Sequence, residues 1–556
     1  YSAFMRLTSL RAVTALAVSL GASLLAAQSQ KPSITLDEFL STTDITNARL
    51  SPDGSSAVIA TEAPDWKNNV FRDDLWLWTP AAGLRPLTHS GSEENPKWSP
   101  DGKWIAFVSD RDLASDSVDS DNPNADKPDR LWIIPVTGGE ALPLYAQKLD
   151  VHAFAWSADS KAIYFSTTSP LSQAQKEQQK AEWKDVVRWR EQNRGDLLLR
   201  IEIAPALAHA IEIPHASKVA MAGESENIMP PLPVYSSTLT TSDLAMEDIV
   251  PSPDGKTLSF VTGPVHHRTE DPANFEIFLV STSGGKATQI THNQALETQV
   301  HWGVDNNTLY FLVQAAGGSL EGPYQDVQGR LYRMDTASGK ITRLGSAFAG
   351  SWDRFTLLPD GREIALGLKG TQTQVYLVDG DKATELLGLA GTYAGIESSA
   401  GSNAILVRYS TFNKATQLYL AADPLHPGQI KQLTDFNPVF AQRAQPEYEP
   451  YAWKSDDGRT IEGMLIFPPG KKDAKHLRML TLIHGGPADA DGNRFGADWY
   501  DWAAYAADNG WLVFRPNYRG SSGYGDDFML EIAPHLVSKP GHDLLTLERS
   551  LHLHRV

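Results

Sequence analysis

Two motifs near the C-terminal end of the sequence contain the residues best suited to chemistry. The first reads HGGP at residues 484–487 and directly follows an apolar, strand-like run. Glycines there let the backbone approach a substrate carbonyl, and a backbone N–H can then stabilise the oxyanion of a tetrahedral intermediate. The second reads NYRGSSGYG at residues 517–525 and also follows a strand-like run. Together the motifs indicate acyl-transfer chemistry, whereas HGGP alone is also typical of an ordinary turn.

The segments around these motifs predict the elements that hold them. Apolar runs at residues 460–467, 479–484 and 511–516 are typical of buried strands, and residues 499–509 have the spacing of a buried helix. A strand, a helix and a strand in that order predict a parallel α/β sheet. Residues 438–450 contain three prolines without strand periodicity, and we interpret them as a linker.

A repeated turn motif dominates the sequence before that linker. SPDG or a close variant recurs, each time before an apolar run, at Leu50, Trp98, Trp156, Pro251, Trp302 and Leu358. An Asp-Gly pair suits a hairpin turn, since Gly accepts a positive φ. We therefore interpret the Asp residues as turn formers and not as metal ligands or catalytic acids.

A second repeat alternates with the first. It is an apolar strand that begins at Leu75, Leu131, Leu197, Ile277, Leu331, Val375 and Leu418. These copies fit the blades of an all-β seven-bladed propeller, because one blade needs roughly 40–50 residues. Blades pack face to face, and closure of the circle hides most sheet edges. The sequence thus predicts a propeller at residues 31–437, a linker at 438–450 and an α/β domain at 451–556.

Composition excludes several classes of function. The chain has 556 residues, more than one hydrophobic core usually serves. Asp and Glu total 67 against 49 Lys and Arg, a net charge of -18, which argues against nucleic acid as a partner. The lack of Cys excludes disulfides, thiolate metal sites and Cys nucleophiles. No motif implies a metal or an organic cofactor.

The N-terminal residues 1–27 predict a targeting signal. Met5, Arg6 and Arg11 form a positive segment, and the uncharged apolar stretch Ala12–Ala27 ends in two small residues typical of a cleavage site. This run is short for a membrane span, which needs about 20 residues. We therefore expect a secretory signal peptide, a periplasmic or secreted protein, and no membrane span after signal removal.

The export signal, the SPDG repeats, HGGP and NYRGSSGYG together resemble the prolyl oligopeptidase family of serine peptidases, in its acylaminoacyl-peptidase and dipeptidyl-aminopeptidase branch. The resemblance implies an α/β-hydrolase peptidase capped by a propeller that admits short or unstructured peptides. It also implies that Gly486 lends its backbone N–H to the oxyanion hole. His484, Gly485, Tyr518 and Arg519 would shape the active-site wall. Bracing of the loop by Arg519 against carboxylates explains that arginine equally well.

The sequence departs from the family pattern in its catalytic residues. The family nucleophile lies on a G-x-S-x-G elbow followed by Asp and then His, and the sequence contains no such elbow. GSSG at 520–523 has the wrong spacing, and His552 and His554 follow no serine elbow. The resemblance fades near Leu545, so we expect the triad beyond Val556, an incomplete α/β-hydrolase domain, and a frameshift, premature stop or gene-model artefact as the cause.

Two alternative functions remain open from the sequence. A non-enzymatic periplasmic propeller scaffold, resembling the TolB type, accounts for the SPDG repeats but has no need for HGGP and NYRGSSGYG. A hydrolase of esters or lipids on the same fold is the other, since fold does not define function. Peptide specificity, exo- or endopeptidase action and oligomeric state carry no sequence signal. The acidic pair Glu93-Glu94 is interpreted as an exposed turn rather than a clamp for a free amine.

The missing elbow leads to a first prediction. The 556-residue chain is expected to hydrolyse neither aminoacyl nor acylaminoacyl chromogenic substrates, because loss of one triad member already costs several orders of magnitude in rate. The measurement is release of the chromophore by purified chain. Activity that a serine-directed phosphonate abolishes would contradict the prediction.

Overall fold

The computed structural model describes residues 31–113, 129–147, 149–184, 186, 194–210, 232–265, 272–293, 295–317, 322–426, 428, 430–486 and 488–554. The predicted signal peptide lies outside these residues. Among the described residues, no helix combines the length and the apolar character that crossing a membrane requires.

Most of the described residues form antiparallel groups of four strands that follow one another along the chain, here called units 1 to 7. Unit 1 comprises β1 (Asp44–Leu50), β2 (Ala57–Asp65), β3 (Val70–Thr79) and β4 (Gly83–Pro86). Unit 2 comprises β5 (Glu93–Trp98), β6 (Trp104–Ser109), β7 (Arg130–Pro135) and β8 (Leu142–Pro143). Unit 3 comprises β9 (Ala153–Trp156), β10 (Ala162–Thr168), β11 (Asp196–Glu202) and β12 (Ser236–Thr241). Unit 4 comprises β13 (Ala245–Pro251), β14 (Thr257–Gly263), β15 (Ile277–Ser281) and β16 (Thr288–Gln289).

The remaining units follow the same order. Unit 5 comprises β17 (Glu297–Trp302), β18 (Thr308–Gly317), β19 (Gly322–Asp335) and β20 (Ile341–Leu344). Unit 6 comprises β21 (Ser351–Leu357), β22 (Glu363–Lys369), β23 (Gln372–Asp379) and β24 (Lys382–Glu385). Unit 7 comprises β25 (Thr392–Ser398), β26 (Ile405–Thr411), β27 (Lys414–Ala421) and β28 (Lys431–Gln432), and one parallel bridge joins it to unit 6. Every copy of the second sequence repeat lies on the third strand of its unit.

The SPDG motif forms the turn between the first and second strands of a unit. In unit 4 the Ser252 hydroxyl donates to Asp254 Oδ1 over 2.7 Å, and the Gly255 N–H donates to the Ser252 carbonyl over 2.9 Å. Gly255 has φ +70°, which disfavours a side chain. These hydrogen bonds lower the pKa of Asp254, chiefly through Ser252 and the Lys256 backbone. The motif Asp therefore stabilises its own turn, as the sequence predicts.

The tryptophan before several of these turns connects neighbouring units. Trp98 Nε1 donates to the Arg49 carbonyl, Trp156 Nε1 to the Lys97 carbonyl and Trp302 Nε1 to the Val250 carbonyl, each over 3.1 Å. In all three pairs the acceptor lies on the first strand of the preceding unit. The indoles thus hold the first strands of neighbouring units at a common spacing.

Apolar side chains fill the space between successive units and also between the last unit and the first. Units 4 and 5 share a cluster around Ile277 and Phe311, and units 7 and 1 share one around Leu406 and Ile59. Each of these four side chains is fully buried or nearly so. Because unit 7 packs against unit 1, the series of units closes into a ring.

Short helices lie outside the strands of the ring. They are α1 (Leu36–Phe39), α2 (Gln173–Trp183) and α3 (Ile203–Ala210), with 3-10 turns at Pro272–Asn274 and Phe440–Gln442. Thr35 caps α1 and Ser172 caps α2, each as part of a capping box.

The α/β unit after the ring contains a mixed sheet in the order β29 (Glu447–Lys454), β30 (Thr460–Phe467), β32 (Leu512–Asn517), β31 (Met479–Thr481). Strands β31 and β32 are parallel and are connected through α4 (Ala503–Asp508). This is the strand, helix and strand arrangement that the sequence predicts. Two helices follow, α5 (Asp526–Leu530) and α6 (Ser538–His554).

Two boundaries differ from the sequence prediction. Strand β29 includes residues 447–450, which were assigned to the linker because of their proline content. Pro450 is tolerated there because β29 is an edge strand, where one side of the backbone needs no partner. Helix α6 also continues through the stretch after Leu545, and Leu547 is buried against the sheet.

Packing between the units supports a stability prediction. Phe311→Ala is expected to lower the free energy of unfolding by about 3–5 kcal/mol, because it leaves a cavity between units 4 and 5. Urea unfolding followed by tryptophan fluorescence measures the change. Val304→Ala, at an exposed turn of unit 5, serves as the control and should change the free energy by less than about 0.5 kcal/mol. Equal losses in both variants would contradict the packing argument.

Candidate active site

His484 connects the two motif loops. Its Nε2 lies 3.0 Å from Ser521 Oγ, and its ring stacks on Tyr518 with centroids 4.6 Å apart. The Tyr518 hydroxyl in turn donates to the His484 carbonyl over 2.6 Å, and the Ser521 hydroxyl donates to the Tyr518 carbonyl over 2.7 Å. The two loops are thereby held against each other.

Gly486 presents an exposed backbone in a conformation that glycine favours. Its φ is +122°, and a Cβ placed there would lie 2.8 Å from the Ala488 backbone nitrogen. Among the described residues, none accepts a hydrogen bond from the Gly486 N–H. A backbone N–H without an acceptor on an exposed loop is the group that an oxyanion hole requires. Gly485, beside it, is also exposed, and Pro487 lies outside the described residues.

Arg519 lies behind the loop, where it is buried among carboxylates. Its Nε and Nη2 bond both oxygens of Asp543 over 3.0 and 2.6 Å, and Nη1 bonds Asp457. Asp543 is fully buried and also accepts from the Arg519 N–H and from the Ser455 hydroxyl. A carboxylate with four donors is fully satisfied in spite of its burial. Arg519 is not part of the cavity lining, so it positions the loop from behind.

Several residues of this region carried no sequence signal. Asp543 lies in α6, and only the need of a buried Arg519 for an acid could have indicated it. Arg515 is likewise buried between Asp491 and Asp501. The Asn517 side chain bonds the backbone of Asp491 in both directions, over 2.7 and 2.8 Å. These contacts fix the segment after Gly486 to the strand that precedes Tyr518.

A cavity of about 530 Å³ lies between the motif loops and the ring. The loop side contributes Ala488, Asp489, Ala490 and Ser522, and the ring side contributes residues of units 5 to 7 such as Ser351, Thr373 and Tyr393. Hydrogen bonds seal its edge: the Gly523 N–H donates to Gln328 Oε1 over 2.8 Å, and the Gly370 N–H donates to the Gly523 carbonyl over 3.0 Å. The Gly486 loop therefore adjoins a chamber of substrate size.

The acidic pair Glu93-Glu94 lies at the end of the ring where the first strands begin, and its interpretation as an exposed turn is wrong for Glu93. Glu93 is fully buried in β5 and accepts from Thr88 Oγ1 over 2.7 Å and from Arg111 over 2.5 Å. Glu94 is exposed. Burial, followed by the charges of Glu94 and Glu62, raises the pKa of nearby Asp73 to about 7. Several acidic side chains therefore lie close together at this part of the ring.

Comparison with known proteins gives relatives that are peptidases. Dipeptidyl-peptidase 5 of Porphyromonas gingivalis is 22% identical over 526 residues, which cover 92% of this chain and 72% of that protein. The uncharacterized peptidase YuxL of Bacillus subtilis is 24% identical over 527 residues, or 90% of this chain and 73% of that protein. A probable dipeptidyl-peptidase 5 of Emericella nidulans is 25% identical over 339 residues, and the match spans 46% of its length. No protein-family model matches the chain.

Solved structures agree in fold. The acylaminoacyl peptidase of Pyrococcus horikoshii superposes with a TM-score of 0.67 at 15% identity, covering 94% of this chain and 73% of that one. A puromycin-hydrolyzing peptidase of Mycobacterium tuberculosis superposes with a TM-score of 0.64 at 14% identity, covering 94% and 74%.

The homologues indicate that the chain is a peptidase, which is a class of hydrolase. The homologues confirm the resemblance seen in the sequence: the chain is related to the prolyl oligopeptidase family of serine peptidases. No relative among those named here is a scaffold protein.

The buried arginine supports a prediction for the loop. Arg519→Gln is expected to lower the free energy of unfolding by about 3–5 kcal/mol, since it leaves Asp543 buried without a counter-charge. Arg519→Lys should recover only part of the loss, because one ammonium cannot replace the planar fork. Chemical denaturation at pH 7 gives the values.

Arg549→Gln is the matched control, because Arg549 is 75% exposed and pairs with Asp456, which is also exposed. Its effect should stay within about 1 kcal/mol.

The hydrogen bond from Arg519 lowers the pKa of Asp457, so the contribution of that contact to stability is present above pH 3.8 and is lost as the pH falls below it. Equal effects of Arg519→Gln and Arg549→Gln would overturn the structural role.

Proposed function

We propose that this chain supplies the substrate chamber and the oxyanion loop of an exported serine peptidase that acts on short or unstructured peptides. In this proposal the ring of units 1 to 7 is a seven-bladed β-propeller, and residues 451–556 are the N-terminal part of an α/β-hydrolase domain. The proposal rests on the exposed N–H of Gly486 beside the chamber, which has no acceptor among the described residues. The charged, apolar and small-residue pattern of residues 1–27 supports export.

The chemistry is acyl transfer. A serine attacks the peptide carbonyl, a histidine moves its proton to the leaving amine, and water then hydrolyses the acyl-enzyme. In this scheme the Gly486 N–H donates to the oxygen of the tetrahedral intermediate as negative charge develops on it. His484 and Tyr518 hold the loop so that this N–H needs no rearrangement during the reaction. The sequence contains no G-x-S-x-G elbow, so the proposal assigns the nucleophile to none of its residues.

The surroundings of the chamber favour small substrates with a free amino group. Hydrogen bonds between Gln328 and the backbone of Gly523 and Gly525 hold the loop against the ring at this side of the chamber. The end of the ring where the first strands begin also holds Asp73, which lies near the carboxylates of Glu94 and Glu62 and would attract a cation. A peptide N-terminus is such a cation. Relatives named dipeptidyl-peptidase 5 agree with this preference, which we propose over acylated peptides.

The test begins with the gene. Sequencing across and beyond the codon for Val556 in all three frames identifies a product that carries a G-x-S-x-G elbow. In that product, Gly486→Ala is expected to lower kcat roughly 10²–10³-fold, because a Cβ pressed against the Ala488 nitrogen turns the N–H away from the oxyanion. Initial rates on dipeptidyl and acylaminoacyl chromogenic substrates measure the effect and rank the two classes.

Gly470→Ala is the matched control. Gly470 also has a positive φ, but a Cβ there meets nothing within 4 Å, and it lies in a turn away from the loops. It should leave kcat unchanged. Equal kcat in all three proteins would exclude Gly486 as the oxyanion donor, and absence of any product with an elbow would exclude peptidase activity for this gene.

A further inference from the structure

The axis of the ring contains a second cavity, separate from the chamber beside Gly486. It measures about 580 Å³, and the first strand of every unit contributes to its wall. Exposed turn residues such as Pro100 and Ala400 also line it. These residues belong to turns that follow the first strands, so the mouth opens at the end of the ring opposite the α/β unit. We call this cavity the axial channel.

The wall of the axial channel carries an excess of positive charge. Arg49, Lys97 and Arg354 line it, and an adjoining cavity of about 240 Å³ shares Arg49 and Arg354 and adds Arg408. Among the described residues, the only carboxylates in the two linings are Asp248 and Glu397. Four cations therefore face two anions in a chain whose net charge is -18. Strands that are distant in sequence thus bring these basic side chains together around the axial channel.

The two carboxylates leave part of this positive charge uncompensated. Glu397 forms an ion pair with Arg49, and Asp248 accepts from the Gln299 N–H over 2.7 Å. Lys97 instead donates to the Phe154 carbonyl, and its ammonium lies 4.8 Å from the Phe154 ring centroid.

The two remaining arginines differ in how far their hydrogen-bonding capacity is used. Arg408 donates to the backbone carbonyls of Ile45 and Ala394, over 2.6 and 2.9 Å. Among the residues that the structure describes, Arg354 reaches only Asp353, at 3.7 Å, which is beyond hydrogen-bond distance. The guanidinium of Arg354, about half exposed, is thus the group of the channel best able to bind a ligand.

The lowered pKa values of these cations also favour the binding of an anion. Burial, together with the charge of Arg49, lowers the pKa of Lys97 to about 8. Burial, together with repulsion by Arg354, lowers the pKa of Arg49 and of Arg408 to about 10. All of them remain protonated at pH 7, so they repel one another in the free protein. An anion between them relieves that repulsion and at the same time uses the open donors of Arg354.

We propose that the axial channel is a binding site for a dianionic phosphate group, held by Arg354 and Lys97 in the channel wall. The planar fork of an arginine matches phosphate oxygens, and the cations of the two linings outnumber the carboxylates of those linings. The channel is too small for a nucleic acid, and the net charge of -18 repels one. The group is either inorganic phosphate or a phosphate monoester on a small molecule.

Isothermal titration of the 556-residue chain with inorganic phosphate, at pH 7.5 and constant ionic strength, tests the site. Saturable binding is expected, and Arg354→Gln should weaken it about tenfold or more, as loss of a hydrogen bond to a charged group does. Lys97→Gln should weaken it as well, whereas Arg354→Lys should weaken it less than Arg354→Gln. Phenyl phosphate in place of phosphate shows whether a monoester enters: tighter binding assigns the site to monoesters, and weaker binding assigns it to free phosphate.

Lys382→Gln is the matched control, because Lys382 lies exposed on the outermost strand of unit 6. It removes one positive charge and should leave phosphate binding unchanged. Circular dichroism shows whether each variant is folded. If Lys97→Gln does not fold, the binding measured for the Arg354 variants decides the test, because Arg354 is only half-buried. Absence of saturable binding, equal weakening by Lys382→Gln, or tighter binding of succinate than of phosphate would each overturn the proposal.

Discussion

Face-to-face burial between successive four-stranded units is the constraint on which the rest of this protein depends. Each unit has two apolar faces, and each face must be covered by a neighbour to leave water. The first and last units meet the same requirement by packing on each other, through residues such as Ile59 and Leu406. The indole bonds from Trp98, Trp156 and Trp302 hold adjacent first strands at a common spacing. A closed ring with a defined axis follows from these contacts.

The ring in turn determines where the α/β unit can sit. Arg330, nearly buried in unit 5, pairs with Asp526 over 2.5 Å, and Gln328 bonds the backbone on both sides of Tyr524. These polar contacts come from the strand ends of one side of the ring. They place the NYRGSSGYG loop over units 5 and 6 and leave the chamber beside the HGGP loop. The shape of the chamber is therefore a consequence of which units carry these donors.

Buried charge is used differently at the two ends of the molecule. Under the motif loops, Arg519 and Arg515 are each matched by carboxylates, so their burial fixes the backbone of the loops. In the axial channel, Lys97 and Arg354 have no carboxylate within hydrogen-bond distance among the described residues. At the opposite end of the ring, Asp73 lies among other acids. Matched pairs stabilise a conformation, whereas unmatched groups of one sign attract a ligand of the other sign.

Much of the fold could be predicted from the sequence, because the contacts that form its turns and strands are local. The SPDG turn is held by hydrogen bonds within five residues, from Ser252 to Lys256 in unit 4, so its composition alone identified it. The strand bounds of β30 and the order of β31, α4 and β32 followed from apolar periodicity for the same reason. The linker boundary was wrong because Pro450 was read as a strand breaker without knowledge that its strand lies at a sheet edge.

The features that the sequence did not predict depend on contacts between distant parts of the chain. Sequence indicated the types of the site residues and the chemistry of the HGGP loop, but Asp543 as the partner of Arg519 and the burial of Glu93 emerged only from packing. The axial channel is the clearest case, because Lys97 and Arg354 lie in different units and share no local pattern. The sequence by itself determined the turns, the strands and the candidate loops, since hydrogen bonds over a few residues encode them. Only the tertiary structure decided which buried charges meet, because ring closure brings together side chains that are far apart in the chain.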